Sequence, residues 1–228
     1  MNWSRDWPRS RPETKVRGAR CEVTAGPEGS LAPRPSSHAP PRALIFDCDG
    51  TLADTMPLHW QVWQTLLQRY GLQMSEERFY ALGGVPSRDI ARILAEEQGV
   101  SVDSLALARE KEARYLDLLA HVAPIEIVVK IARQHAGQLP MAVASGGTRR
   151  VIETVLNHLG IRDLFAAVVT NEDVTRQKPA PDIFLEAARR LGVPPPQCRA
   201  YEDTDLGLEA IRAAGMAAVD VRRLLATK

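Results

Sequence analysis

From Arg42 onward the chain alternates short apolar runs with amphipathic helical patterns, which predicts an α/β fold: a parallel sheet covered by helices. Two further observations refine that prediction. Between about Met56 and His121 several helical patterns follow one another with no strand between them, so a helical domain is inserted after the first strand. Four of the five candidate strands also end at or next to a polar residue, on the side of an open parallel sheet where ligands bind.

The candidate strands are Ala43–Asp47, Met141–Ser145, Ala166–Thr170, Arg199–Asp203 and Ala217–Val221. Each is short and nearly continuous in apolar character, as strands buried on both faces are. Helices are expected between them. Arg149–Leu159 carries Val151, Ile152, Val155, Leu156 and Leu159 on one stripe before Gly160, and Ile183–Leu191 and Leu206–Ala214 repeat the design before Gly192 and Gly215. In the insert, Trp60, Trp63, Leu67 and Tyr70 recur at spacings of three and four before Gly71, a stripe read as packing between helices.

The expected organisation is therefore a core over 42–55 and 123–228 with an insert over 56–122. Residues 1–41 are read as a disordered basic arm: the first 42 residues hold seven of the sixteen prolines and eight Lys/Arg against four Asp/Glu, with neither helical nor strand periodicity. That leaves a mildly acidic remainder, since the formal net charge is only +1. The arm has no aromatic-interleaved basic patch, so no nucleic-acid partner is expected. No apolar run approaches the roughly 18 residues of a membrane span, so no membrane partner is expected either. Cys21, Cys48 and Cys198 are odd in number, with no CxxC pair. They suggest neither a disulfide framework nor a zinc site, and a cytoplasmic location fits them. A monomer is expected.

Chemistry gathers at the strand ends. After the first strand comes Asp47-Cys48-Asp49-Gly50-Thr51-Leu52, with two carboxylates two residues apart. Like charges this close call for a hard divalent cation, and Mg²⁺ suits a few carboxylate oxygens and retained waters. Glu202 and Asp203 supply further oxygens. A carboxylate can attack phosphorus only if the phosphoryl charge is screened, and Mg²⁺ with Lys178 would screen it. Asp47 is then the nucleophile that becomes an aspartyl-phosphate, and Asp49 the general acid and base. Ser145, followed by Gly146-Gly147-Thr148 and a helix, offers a hydroxyl and backbone N–H groups as a phosphate cradle.

These motifs, Asp47 to Leu52, the Ser145 strand end, Lys178-Pro179 and Glu202-Asp203, resemble the four ordered motifs of the haloacid dehalogenase superfamily over about residues 42–223. The resemblance implies a Rossmann-like core and a small all-helical (C1-type) cap. The insert's position, with Asp54-Thr55 and His59, resembles the beta-phosphoglucomutase-like branch. Lys178-Pro179-Ala180-Pro181-Asp182 and Glu202-Asp203-Thr204-Asp205-Leu206-Gly207 resemble its bacterial phosphatases of fructose 1-phosphate and 6-phosphogluconate.

The same resemblance implies a Mg²⁺-dependent phosphatase of small phosphorylated metabolites. Asp47, Asp49 and Asp203 would bind metal, and Glu202 would either ligate it or hold its waters. Ser145, Gly146, Lys178 and Thr51 would bind phosphate or substrate, as would His59 and Arg88 from the insert, with hinges near Thr55–Pro57 and Val122–Pro124. Three alternatives stand beside it: a phosphohexomutase, a dehalogenase and a silent binding protein. The mutases follow the motif-two serine with a polar Ser-Lys/Arg-Asn run, whereas here stands Gly146-Gly147-Thr148-Arg149-Arg150, in which Thr148 or Arg149 would have to substitute. The dehalogenases match less well around Asp49 and Gly50, and the intact Asp47/Asp49 pair argues against a silent protein. His121, His135 and His158 read as ordinary surface or helix residues.

Overall fold

The structure is a computed structural model and describes residues 40–226. All but the last two residues of the expected basic arm lie outside the described residues.

In chain order the elements are β1 (Ala43–Phe46), β2 (Ala53–Asp54), α1 (Met56–Arg69), α2 (Glu76–Ala81), α3 (Ser87–Gln98), α4 (Ser104–Leu116), β3 (Ala123–Pro124) and α5 (Glu126–His135). They continue with β4 (Met141–Ala144), α6 (Arg149–His158), β5 (Ala167–Val169), α7 (Asp182–Leu191), β6 (Cys198–Glu202), α8 (Asp205–Ala213), β7 (Ala217–Asp220) and α9 (Val221–Leu225). The five expected strands all form, with ends shifted by one residue. The polar residue at each end either closes the ladder or leaves it. Helix α5 and the short pair β2/β3 add to the expected elements.

The main sheet is wholly parallel, in the order β5-β4-β1-β6-β7. β1 is its central strand, and successive residues point to opposite faces. Leu44 and Phe46 enter a core with Val128 and Val129 of α5 and Ile152 and Val155 of α6. Ala43 and Ile45 enter the opposite core with Phe184 and Ala187 of α7 and Ile211 of α8. All four strand residues are fully buried, which is why β1 reads as a continuous apolar run instead of an alternating one.

The insert runs from α1 to α4 and has a core of its own, built on Trp63, Leu66, Leu67, Phe79, Ile90, Leu94 and Leu107. Trp60 stacks on Phe79 with ring centroids 5.4 Å apart, so the aromatic stripe does pack helix on helix. The chain leaves for the insert and returns side by side, because β2 pairs antiparallel with β3. Ser75 accepts a hydrogen bond from Arg78 N (3.1 Å) and starts α2, and Asp103 caps α4 in the same way. Among the described residues no helix is long and apolar enough to cross a membrane.

Candidate active site

Sheet order decides where the site lies. On one side of β1 the chain continues to β4 and β5, on the other to β6 and β7, so β1 is the point where the order reverses. A crevice opens there beyond the carboxyl ends of the strands. Asp47 is the first residue past β1, and its N–H still donates to Tyr201 O of β6 at 3.0 Å. The loop then folds back, with Leu52 N and Ala53 N both donating to Cys48 O (2.9 and 3.0 Å). Gly50 allows this with φ +81°. A Cβ there would also lie 2.2 Å from the Asp203 carboxylate, so only glycine fits.

Two charged networks meet at this point. In the first, Lys178 Nζ donates to Asp47 Oδ1 and to Glu202 Oε2, both at 2.7 Å. Glu202 is fully buried at the end of β6, and its other oxygen accepts from Thr204 N (3.1 Å) and Thr204 Oγ1 (2.8 Å). Asp203 accepts from Thr51 Oγ1 at 2.9 Å. Asp47, Glu202 and Asp203 each offer an oxygen within 4.8 Å of the others, which fits a hard cation. One ammonium faces three carboxylates. Burial, then the charge of Glu202, pushes the Asp47 carboxyl well above its usual range and raises Asp203 to about 7. Burial alone would lower the Lys178 ammonium, but Asp47 and Glu202 raise it instead.

The second network belongs to Asp49. Thr55 Oγ1 donates to Asp49 Oδ1 at 2.7 Å, and His59 Nε2 lies 3.1 Å from the same oxygen. Lys111 Nζ of α4 lies 2.9 Å from His59 Nδ1. An ammonium can only donate, so Nδ1 accepts and Nε2 carries the proton toward Asp49. Burial and the neighbouring Lys111 charge hold His59 below its ordinary value, that is, neutral. Burial raises Asp49, but His59, Thr55 and Lys111 outweigh it and keep the carboxyl near 2. Burial lowers Lys111 to about 8. Tyr115 stacks on His59 at 4.0 Å.

Three expectations change. Asp49 does not join the metal-compatible cluster with its side chain, because Thr55 and His59 hold its carboxylate on the other side of the loop. Arg88 does not line the crevice. It sits at the start of α3 with its side chain 64% exposed, 3.9 Å from Asp89, and faces an outer groove. The cradle after Ser145 is also narrower than expected, since Gly147 N donates to Ser145 Oγ (3.1 Å) and Arg149 N to Glu172 Oε1 (3.1 Å).

Ser145, Gly146 and His59 do line the crevice, whereas Lys178 reaches it through Asp47 and Glu202, and Thr51 is bonded to Asp203 outside its lining. Sequence reasoning missed Lys111 and Glu112, which face the same crevice. A lysine amid Arg109, Glu110 and Glu112 on a helix reads as a solvated face, and only its turn inward to His59 distinguishes it.

Insert and core touch tightly above the site. A Cβ on Gly146 would lie 2.4 Å from Gly84 O of the α2–α3 loop. The cavity between them is about 80 Å³, well below the roughly 300 Å³ at the lower end of small-molecule pockets.

Fold and crevice together place a candidate site at the carboxyl edge of a parallel sheet, with an acidic group that could hold a cation. The sequence matches the family of haloacid dehalogenase-like hydrolases over residues 44–221, and the chain belongs to that family. It is a hydrolase of phosphoric monoesters. It is 47% identical to the fructose-1-phosphate phosphatase YqaB of Escherichia coli over 182 residues, 79% of this chain and 96% of that one. Beta-phosphoglucomutase of Bacillus subtilis is 31% identical, covering 79% of this chain and 83% of the relative. The crystal structure of a beta-phosphoglucomutase from Clostridium difficile superposes with a TM-score of 0.70 at 28% identity, over 78% of this chain and 83% of the other.

Proposed function

We propose that the chain hydrolyses sugar phosphates, with fructose 1-phosphate and 6-phosphogluconate as the leading candidates, through an aspartyl-phosphate on Asp47. The observation that carries this reading is a surplus of carboxylates among the described residues: buried Asp47 and Glu202 and half-buried Asp203 beside Lys178. Such a surplus is relieved by proton uptake, which the raised Asp47 and Asp203 carboxyls reflect, or by a second cation, and in the latter case the two cations would screen an incoming phosphoryl group. Asp47, Asp203 and Glu202, the last directly or through water, would hold Mg²⁺. The bound ion would neutralise charge on the phosphoryl oxygens.

Lys178 holds Asp47 Oδ1, which leaves Oδ2 to attack phosphorus as the ester oxygen departs. Asp49 is ionised in the free enzyme, and the arriving phosphate dianion raises its pKa so that it takes up a proton. It gives that proton to the leaving alcohol. Ionised again, it takes one from water, whose oxygen attacks phosphorus and releases inorganic phosphate and the Asp47 carboxylate. The 56–122 insert acts as a cap that swings on the stretches flanking β2 and β3, because the present cavity admits no sugar phosphate. Cys48 and Cys198, both buried free thiols, agree with a reducing cytoplasm.

A phosphohexomutase stands second, supported by the Bacillus subtilis relative. It needs a grip for a second phosphate after Ser145. Here Thr148 donates to Glu112 (3.1 Å), and Arg149 is held by Val168 O (3.2 Å) and Asp173. The test is phosphate release from fructose 1-phosphate, 6-phosphogluconate and glucose 1- and 6-phosphates, with and without Mg²⁺. Mg²⁺-dependent release that falls at least about 1,000-fold in Asp47→Asn is expected. Interconversion of glucose phosphates without net release would overturn it in favour of the mutase.

A further inference from the structure

Lys111 and Glu112 are consecutive on α4, yet their side chains serve different walls of the crevice. Lys111 turns to His59, and Glu112 turns across the seam to the loop after β4. There Glu112 Oε2 accepts a hydrogen bond from Thr148 Oγ1, and among the described residues Oε1 has no partner. Glu112, Thr148 and Ser87 line both the catalytic crevice and the outer groove, so they form the wall between the two. The half-buried carboxylate therefore stands on the wall of the crevice that holds Asp47 and Ser145.

The cations that act on it, Lys111 and Arg150, are held elsewhere by their own contacts or stand on the outer groove. Lys111 is committed to His59. Arg149 is bound to Val168 O and Asp173. Arg88, Arg109 and Arg150 line the outer groove, together with Asp89 and Glu172. A sugar hydroxyl arriving at Oε1 finds an acceptor, and a second phosphate arriving there finds a like charge, with Lys111 already bound to His59 and Arg150 set on the outer groove. Like-charge juxtaposition of this kind rejects a wrong ligand more effectively than added contacts select the right one.

We propose that Glu112 is a specificity-determining residue: it restricts the crevice to monophosphates whose leaving group ends in hydroxyls and rejects those that carry a second phosphate. The proposal rests on the phosphatase reading above and names the substrate class that reading leaves open.

Its test is binding without turnover. In Asp47→Asn protein with Mg²⁺, titration calorimetry gives Kd for fructose 1-phosphate and for fructose 1,6-bisphosphate, before and after adding Glu112→Gln or Thr148→Val. The glutamine keeps an oxygen for Thr148 and removes the charge, and the valine does the reverse. The parent is expected to prefer the monophosphate, Glu112→Gln to shift the ratio toward the bisphosphate by about tenfold, and Thr148→Val to leave it within about twofold. That shift should shrink at high salt.

An unmoved ratio in Glu112→Gln, with the monophosphate still bound, overturns the role of Glu112 alone. A ratio that moves equally in Thr148→Val assigns selectivity to the seam contact and overturns the charge argument. Failure of the parent to bind either sugar overturns this proposal and the phosphatase reading together.

Discussion

The two buried networks that flank the Asp47–Asp49 loop differ in one respect: the first is short of positive charge and the second is not. Asp47, Glu202 and Asp203 share Lys178. Asp49 has Lys111 behind it, relayed through a neutral His59 and helped by Thr55. An unbalanced cluster favours uptake of a proton or a cation, and a balanced one fixes the ionisation state of a single group. That difference is how two aspartates two residues apart come to hold such different pKa values.

The largest effect expected from breaking the comparison comes from Lys178→Met, which leaves the buried carboxyls of Asp47 and Glu202 without their ion-pair partner. Unfolding by denaturant in the absence of metal should reveal a loss of about 3–5 kcal/mol, because removing one partner leaves uncompensated buried charge. Mg²⁺ should recover part of it.

In the unaltered protein, Mg²⁺ at about 100 times its Kd should stabilise by about 2.7 kcal/mol, seen as a rise of several degrees in Tm and reversed by chelation. A Tm indifferent to Mg²⁺ would sink the idea that the acidic cluster is a metal site.

Lys111→Met breaks the balanced side. It should leave the Mg²⁺-induced rise in Tm intact and lower kcat by about 10- to 100-fold, the range for a group that tunes a general acid and base. Because Lys111 is cationic below about 8 and neutral above, kcat in the unaltered enzyme should fall as pH rises through that value and the charge behind His59 is lost. The variant should lack that step.

The smallest effect sharpens the comparison with a charge cluster outside the crevice. Asp173 caps the turn after β5 and pairs with Arg190 (2.6 Å) and Arg149. Burial raises its carboxyl, but Arg190, Thr170 and Arg149 outweigh that and hold it near 2. A folded-state pKa below the ordinary 3.8 stabilises above about pH 4, and that contribution is lost as pH falls toward 2. Asp173→Asn should cost about 1–2 kcal/mol at neutral pH and flatten acid unfolding between pH 4 and 2. The Kd for Mg²⁺ should stay where it was.

Much of the fold is legible in the residues because it is local. Short β-branched runs bounded by polar residues mark the strands, and an aspartate directly after the first of them marks the crevice. Helical periodicity marks the insert, and its aromatic stripe is packing, as its spacing indicates. Helix α5 escapes notice because its pattern, with Val128, Val129 and Ala132 buried, lies next to the return from the insert and begins without a side-chain cap. Arg88 stands in a loop pattern rich in glycine and serine, but α3 begins at Ser87 and directs it outward.

The sequence by itself determined which residues could do the chemistry and that they would stand at strand ends, since burial on both faces of a parallel sheet leaves its carboxyl edge as the place for exposed polar atoms. Only the tertiary structure decided how they divide. Asp49 turns from the metal cluster to Thr55 and His59, and Lys111 and Glu112 turn from a charged helix face into the crevice. The physical reason is that a charged side chain settles by the partners that surround it after packing, and those partners come from as far as 152 residues away in the chain.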